Sequence, residues 1–196
     1  MNKDFLLCGV GGQGTVLASK LIAAAYMTAG ETVHSAETIG MAQRGGSVTS
    51  HVRVGSKAHS PLIGKNRADV LIAFEPAEAV RNLPYLKKEG WVIVNKVPVQ
   101  PVTVSLSGTP YDADEFLDFL EKKVDHLLVV DGRTIEKALG TPRYFNVAIL
   151  GAAVGTGSTG LTPELVLEEI ERKVPARFVD KNKEAFSLGM EMARKG

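Results

Sequence analysis

The spacing of apolar and polar positions changes period repeatedly along this chain, and each change marks a new element. Phe5-Leu6-Leu7 is a short apolar run that ends in a glycine-rich stretch. After it, Val16, Leu17, Leu21, Ile22 and Ala23 to Ala25 leave little polar surface, which predicts a buried helix reaching Gly30, itself placed as a cap. Glu31 to Ala36 reads as a second strand. From Val48 to Val54 the pattern alternates, with Ser47, Thr49, His51 and Arg53 on one face and Val48, Ser50, Val52 and Val54 on the other. The polar face is either that of a solvated edge strand or a wall turned to a ligand or partner subunit.

Ala68 to Phe74 is nearly all apolar, as expected of a strand buried on both faces of a parallel sheet. Pro76 stands where a first helical residue would, and a helix is predicted toward Lys88, disturbed at Pro84 and ended by Gly90. Trp91 to Val94 is another buried strand. Residues 97–110, with Pro98, Pro101 and Pro110 around Val102-Thr103-Val104, read as an irregular or edge strand. Asp112 and Glu115 form a capping pair ahead of Phe116, Leu117, Leu120 and Val124 at helical spacing. Leu127 to Val130 is a strand, and Asp131-Gly132 opens a short helix stopped by Gly140 and Pro142.

Gly151 and Gly155, four apart, give the following helix a small-residue face on which two helices or two subunits can pack closely. Thr162-Pro163 starts a further helix, and the last runs from Asp180 to Arg194. Strands and helices alternate throughout. The pattern predicts an α/β fold: a Rossmann-like three-layer α/β/α sandwich with a mostly parallel sheet, in one domain over residues 1–196.

The first turn carries the most chemistry. Gly9, Gly11 and Gly14 fit the spacing G-x-G-x-x-G, with Gly12 and Gln13 inside it. In that motif the first glycine permits a tight turn, the second lets backbone approach a phosphate, and the third lets helix and strand pack closely. Amides at the helix start would face an anion. A turn that merely packs the helix on the sheet fits the same glycines, and so does a free-standing oxidoreductase holding NAD(P) or FAD. Glu37 lies near the place of a ribose-binding acid, although a charged strand end facing solvent is the simpler reading. Arg44 followed by Gly45 and Gly46 sets a planar, permanent cation beside accessible amides, a combination suited to phosphate or carboxylate.

Composition then removes whole classes. A net charge of +1 gives no electrostatic reason to expect nucleic acid or an anionic membrane as partner. No apolar stretch has the length of a membrane span or signal segment, so a cytoplasmic protein is expected. The lone cysteine, Cys8, excludes an intrachain disulfide and an iron–sulfur cluster ligated by this chain alone. His34, His51, His59 and His126 are scattered without metal-ligand spacing, and neither a G-x-S-x-G elbow nor a P-loop lysine is present. What remains is a set of anion-binding loops without a self-contained catalytic machine.

The quoted stretches resemble a family. Gly9-Val10-Gly11-Gly12-Gln13-Gly14, then Gly40-Met41-Ala42-Gln43-Arg44-Gly45-Gly46-Ser47 with His51-Val52-Arg53, are similar to the gamma-type domain of 2-oxoacid:ferredoxin oxidoreductases. Thr141-Pro142-Arg143-Tyr144-Phe145-Asn146 resembles a third family segment, and the second stretch is most similar to the small (beta) subunit of the indolepyruvate branch. The resemblance implies a hetero-oligomer that oxidatively decarboxylates arylpyruvates with coenzyme A and passes electrons to ferredoxin. It places thiamine diphosphate and the iron–sulfur clusters on a large alpha subunit. It makes this chain a non-redox subunit without a catalytic residue or metal of its own. The turn from Gly9 to Gly14, with Arg44, Gly45 and Gly46, would lie near a phosphate-bearing ligand, coenzyme A foremost. Ser47, Thr49, His51, Arg53, Arg143 and Asn146 would form the wall facing substrate or the alpha subunit. A docking subunit that binds no ligand is the other reading.

Overall fold

The computed structural model describes residues 2–39, 46–56, 59–99 and 111–195. Among these, six strands form one sheet in the order β2-β3-β1-β4-β5-β6. The strands are β1 (Lys3–Val10), β2 (Val33–Ile39), β3 (Ser47–Val54), β4 (Ala68–Ala73), β5 (Leu86–Asn95) and β6 (His126–Val130). β1, β4, β5 and β6 are parallel neighbours, while β3 runs antiparallel to both β1 and β2. The sheet is therefore mostly parallel, with one reversed strand.

Helices cover both faces. α1 (Thr15–Thr28), α4 (Gly132–Leu139), α5 (Phe145–Gly155), α6 (Pro163–Lys173) and α7 (Ala176–Lys195) bury the larger core, centred on Phe5, Leu7, Ile72, Phe74 and Ile93. α2 (Pro76–Asn82) and α3 (Ala113–Lys123) close the smaller one over Leu6, Cys8, Leu71 and Val94. Successive side chains of β1 and β4 thus enter different cores, which is why those strands read as unbroken apolar runs. This is the three-layer sandwich that the alternation predicts.

The local departures have physical causes. The helix after Pro76 stops at Asn82, and a 3-10 turn at Leu83–Tyr85 follows, because Pro84 cannot continue the helical hydrogen bonding. Lys87 to Gly90, expected to end that helix, belong to β5; the register slips there, Ala68 facing Leu86 and Val70 facing Trp91. α7 begins at Ala176, four residues earlier than Asp180. The small-residue face of α5 serves helix pairing inside this chain: a Cβ on Gly151 would lie 2.1 Å from the carbonyl oxygen of Phe186 in α7. That face is therefore occupied within the chain and is not open to a second subunit. The expected strand within residues 97–110 lies largely outside the described residues.

Candidate functional site

The chain leaves β1 for β2 on one side, returns through β3, then crosses to β4 on the other side of β1. The carboxyl ends of β1 and β4 are thus the topological switch point, where open α/β sheets bind ligands. The glycine turn sits there, but its glycines divide the work differently from the motif. Gly9 is still in β1, where a Cβ would meet Gln13 Oε1 at 2.7 Å and Phe74 Cβ at 2.9 Å. Gly12 and Gly14 carry the left-handed conformation, with φ of 101° and 83°. The Gly11 N–H donates to the carbonyl of Gly46 at 2.9 Å, so the end of the Arg44-Gly45-Gly46 segment is tied to the turn. Arg44 and Gly45 themselves lie outside the described residues.

Gln13 fills the crevice between the two strands. Its Oε1 accepts from the Val10 N–H at 2.7 Å, and its Nε2 donates to the Phe74 carbonyl at 2.9 Å. Asn95 donates to the same carbonyl at 3.1 Å, and its Oδ1 receives the Gly132 N–H at 3.3 Å. Two side-chain amides therefore stitch the ends of β1, β4 and β5 to the start of α4.

Beside this stitch is a cleft of about 310 Å³, lined among others by Gly12, Gln13, Gly132, Arg133, Arg143 and Phe145. Glu136 is the acid on its wall. Gly14 caps α1 without any side-chain hydrogen bond, and the first turn of α1 holds no acid. The amides of Gly12 and Gly14 donate to no acceptor among the described residues. Free amides, a helix dipole and two guanidinium groups can hold an anion here.

The polar face of β3 has a different fate. β3 lies between β2 and β1, so the edge-strand reading is overturned. His51 is buried, and its Nδ1 accepts the Ile63 N–H at 3.2 Å. Burial, with Arg53 second, holds its imidazole below the ordinary range and keeps it neutral for that bond. Arg53 pairs with Asp4 at 3.1 Å and donates to the carbonyls of Ser60 and Leu62. Ser47 donates to Glu78 at 2.6 Å, and Thr49 is half-buried. His51 and Arg53 therefore hold the chain at Ser60 to Ile63. Asn146, in α5, stands against the turn: a Cβ on Gly14 would come within 2.5 Å of its Nδ2. Glu37, in β2, faces Ser50 across the β2–β3 ladder, away from the β1–β4 crevice.

Sequence reasoning passed over Asn95, Arg133, Glu75 and Glu78. Glu75 caps α2 by accepting the Glu78 N–H at 3.0 Å, is almost fully buried, and receives the Tyr111 hydroxyl; burial above all raises its carboxyl. An acid directly before Pro76 is a legible cap; that it is buried is not legible. The Cys8 thiol, fully buried and pushed well up by that burial, is no nucleophile. Among the described residues no group of three or more His, Cys, Asp or Glu side chains could hold a metal. No described helix is long and apolar enough to cross a membrane.

Comparison with known proteins bears on the family and the fold. The family model described as pyruvate ferredoxin/flavodoxin oxidoreductase matches residues 4–192. The chain is 39% identical to indolepyruvate oxidoreductase subunit IorB of Archaeoglobus fulgidus, covering 100% of this chain and 98% of that protein. Its fold is similar to the gamma subunit of a keto/oxoacid ferredoxin oxidoreductase from Geobacter sulfurreducens, with a TM-score of 0.73 at 21% identity and 99% coverage of both chains. It is also similar, with a TM-score of 0.73 at 20% identity, to part of 2-oxoglutarate:ferredoxin oxidoreductase from Magnetococcus marinus, a structure with 2-oxoglutarate, coenzyme A and succinyl-CoA bound. There it covers 100% of this chain and 31% of that one.

Proposed function

The chain belongs to the pyruvate ferredoxin/flavodoxin oxidoreductase family, and from that premise we propose that it is the small, non-redox subunit of an arylpyruvate-type 2-oxoacid:ferredoxin oxidoreductase. It is one domain and completes the active site of a large cytoplasmic subunit that carries thiamine diphosphate and iron–sulfur clusters. The reaction takes an arylpyruvate and coenzyme A to an aryl-acetyl-CoA and carbon dioxide, the electrons passing to ferredoxin. The identity to an indolepyruvate oxidoreductase subunit over the whole chain supports this branch.

The observation that carries the reading is the meeting of the glycine turn, Gly46 and Arg143 at the switch point, beside a cleft with unused amides. The cleft suits the phosphates of coenzyme A, held by the Gly12 amide, Arg133 and Arg143. Bound there, coenzyme A supplies the thiol that takes the acyl group. This chain's part is to bind, orient and exclude water, which raises rate without a nucleophile. Arg44 and Gly45, which lie outside the described residues, are assigned by this reading to the contact with the large subunit.

The test is reconstitution with the large subunit, followed by arylpyruvate- and coenzyme A-dependent ferredoxin reduction. Arg143→Ala is expected to raise KM for coenzyme A roughly tenfold or more with the protein's melting temperature unchanged, as for loss of a charged hydrogen bond to phosphate. Arg44→Ala is expected to weaken turnover or subunit association, and its role fails if both are unchanged. One observation favours the docking reading: Gly11's N–H and Gln13's amide are already satisfied inside the chain. On that reading Gly12→Val leaves the coenzyme A dependence as it was, whereas the proposal requires KM to rise.

A further inference from the structure

We infer that a second cleft in this chain binds a small carboxylic acid with an apolar body. This cleft, of about 260 Å³, shares only Arg143 with the one beside the glycine turn. Its walls come from Leu17 of α1 and from Val174 and Phe178 at the α6–α7 junction. Asn146 lines it and is 7% exposed, yet its carboxamide makes no hydrogen bond among the described residues. Buried amides without partners are uncommon, because burial strips their water and returns nothing. Nor is the Asn146 amide sealed: Ser50 Oγ is the enclosed, unpartnered side-chain atom among the described residues. Asn146 is therefore reachable from the cleft and waits for a partner that enters through it. Asn182, 5% exposed, also lines the cleft; its Nδ2 donates to the Phe178 carbonyl at 2.7 Å.

The charges around the mouth fix the sign of the ligand. Arg143 and Lys173 are exposed and have no acid partner among the described residues. Of the acids on α6 and α7, Glu168 and Glu169 hold Arg172, Glu171 holds Lys183 and Glu184 holds Lys181, while Glu164, Asp180 and Glu191 are not among the residues that line the cleft. Arg177 adds a further cation, 4.7 Å from the centre of the Phe178 ring. The mouth is cationic, the walls are apolar and the buried wall offers an amide. An anion must satisfy a guanidinium fork and an amide while its body fills an apolar recess, and a carboxylate does this with one planar group. The recess is smaller than the roughly 300 Å³ lower bound of drug-sized ligand pockets, so the body is a single ring or short chain.

Benzoate is the probe and benzamide its neutral partner of equal size. In heteronuclear NMR titrations of the full chain, benzoate is expected to saturate in the roughly millimolar range expected for so small a ligand. Its shifts should centre on Leu17, Asn146 and Phe178, with benzamide roughly tenfold weaker because it lacks the charge. Lys173→Ala, at an exposed position, should weaken benzoate several-fold and leave the fold intact, and Asn146→Ala should do the same. Shifts that do not saturate, benzamide binding as well as benzoate, or affinity unmoved by both variants would each overturn the inference. So would loss of benzoate binding in the complex with the large subunit, which would mean that a partner side chain fills the cleft. Both clefts draw on Arg143, so saturating coenzyme A is expected to weaken benzoate several-fold and to leave its shifts at Leu17 and Phe178 in place. A failure of coenzyme A to bind would count against the proposed function alone.

Discussion

Gln13 commits its whole carboxamide to the backbone, accepting from Val10 and donating to Phe74. A residue inside the G-x-G-x-x-G spacing is therefore a structural bridge, and the anion-facing work falls to the neighbouring glycine amides. His51 changed role in the same way, from a wall facing a ligand to an acceptor for the Ile63 N–H. That role requires the neutral imidazole. The unfolded histidine titrates at its ordinary value of 6.5, and folded His51 titrates below it. Between those values the unfolded chain binds more protons, so stability is fully present above pH 6.5 and declines as pH falls through the window toward the folded value. Urea denaturation from neutral pH down to roughly pH 5 should show the fall, and His51→Asn should flatten it. Equal slopes in both proteins would remove His51 as the cause.

At the scale of elements, α5 and α7 approach so closely that Gly151, Gly155 and Gly189 leave no room for a side chain of their own. A Cβ on Gly189 would stand 1.8 Å from the carbonyl oxygen of Ala148, and one on Gly155 would stand 2.8 Å from Ala193 Cβ. Backbone on the facing helix cannot yield as a flexible side chain can. Gly189→Ala is therefore predicted to destabilise by about 3 kcal/mol or more, at the upper end of overpacking effects, despite alanine's better helix propensity. Ser187→Ala, on the exposed side of the same helix, should stay within about 0.5 kcal/mol of the parent. Chemical denaturation of the two variants checks this, and equal midpoints would refute the close-contact account.

For the whole molecule, the sheet order decides which ligands the switch point can take. A dinucleotide would have to lie across the crevice between β1 and β4, where Gln13 and Asn95 join the strand ends through Phe74. The reversed β3 also separates β2 from β1, so Glu37 stands two strands from the turn that it would serve in a dinucleotide-binding sheet. Titration of NADH or FAD into the isolated chain is accordingly expected to give no saturable fluorescence change. Saturable binding of either would reinstate the free-standing oxidoreductase.

The chain's own sequence determined the element types, the layer architecture and the position of the glycine turn, because each rests on local periodicity or on short-range turn chemistry. Runs such as Ala68 to Phe74 can be satisfied only between two cores, and Asp112, Asp131 and Pro76 mark helix starts wherever the chain is placed. Tertiary structure alone decided that β3 sits inside the sheet rather than at its edge, that the glycine face of α5 meets α7 rather than another subunit, and that Gln13 bridges two strands. It alone joined Gly11 to Gly46 and set Asn146 against Gly14, with the amide open to a second cleft. Apart from the β2–β3 ladder, those facts depend on pairings between residues from about 35 to 130 positions apart. Hydrophobic period carries no record of such pairings, since it says which face is buried and never against what.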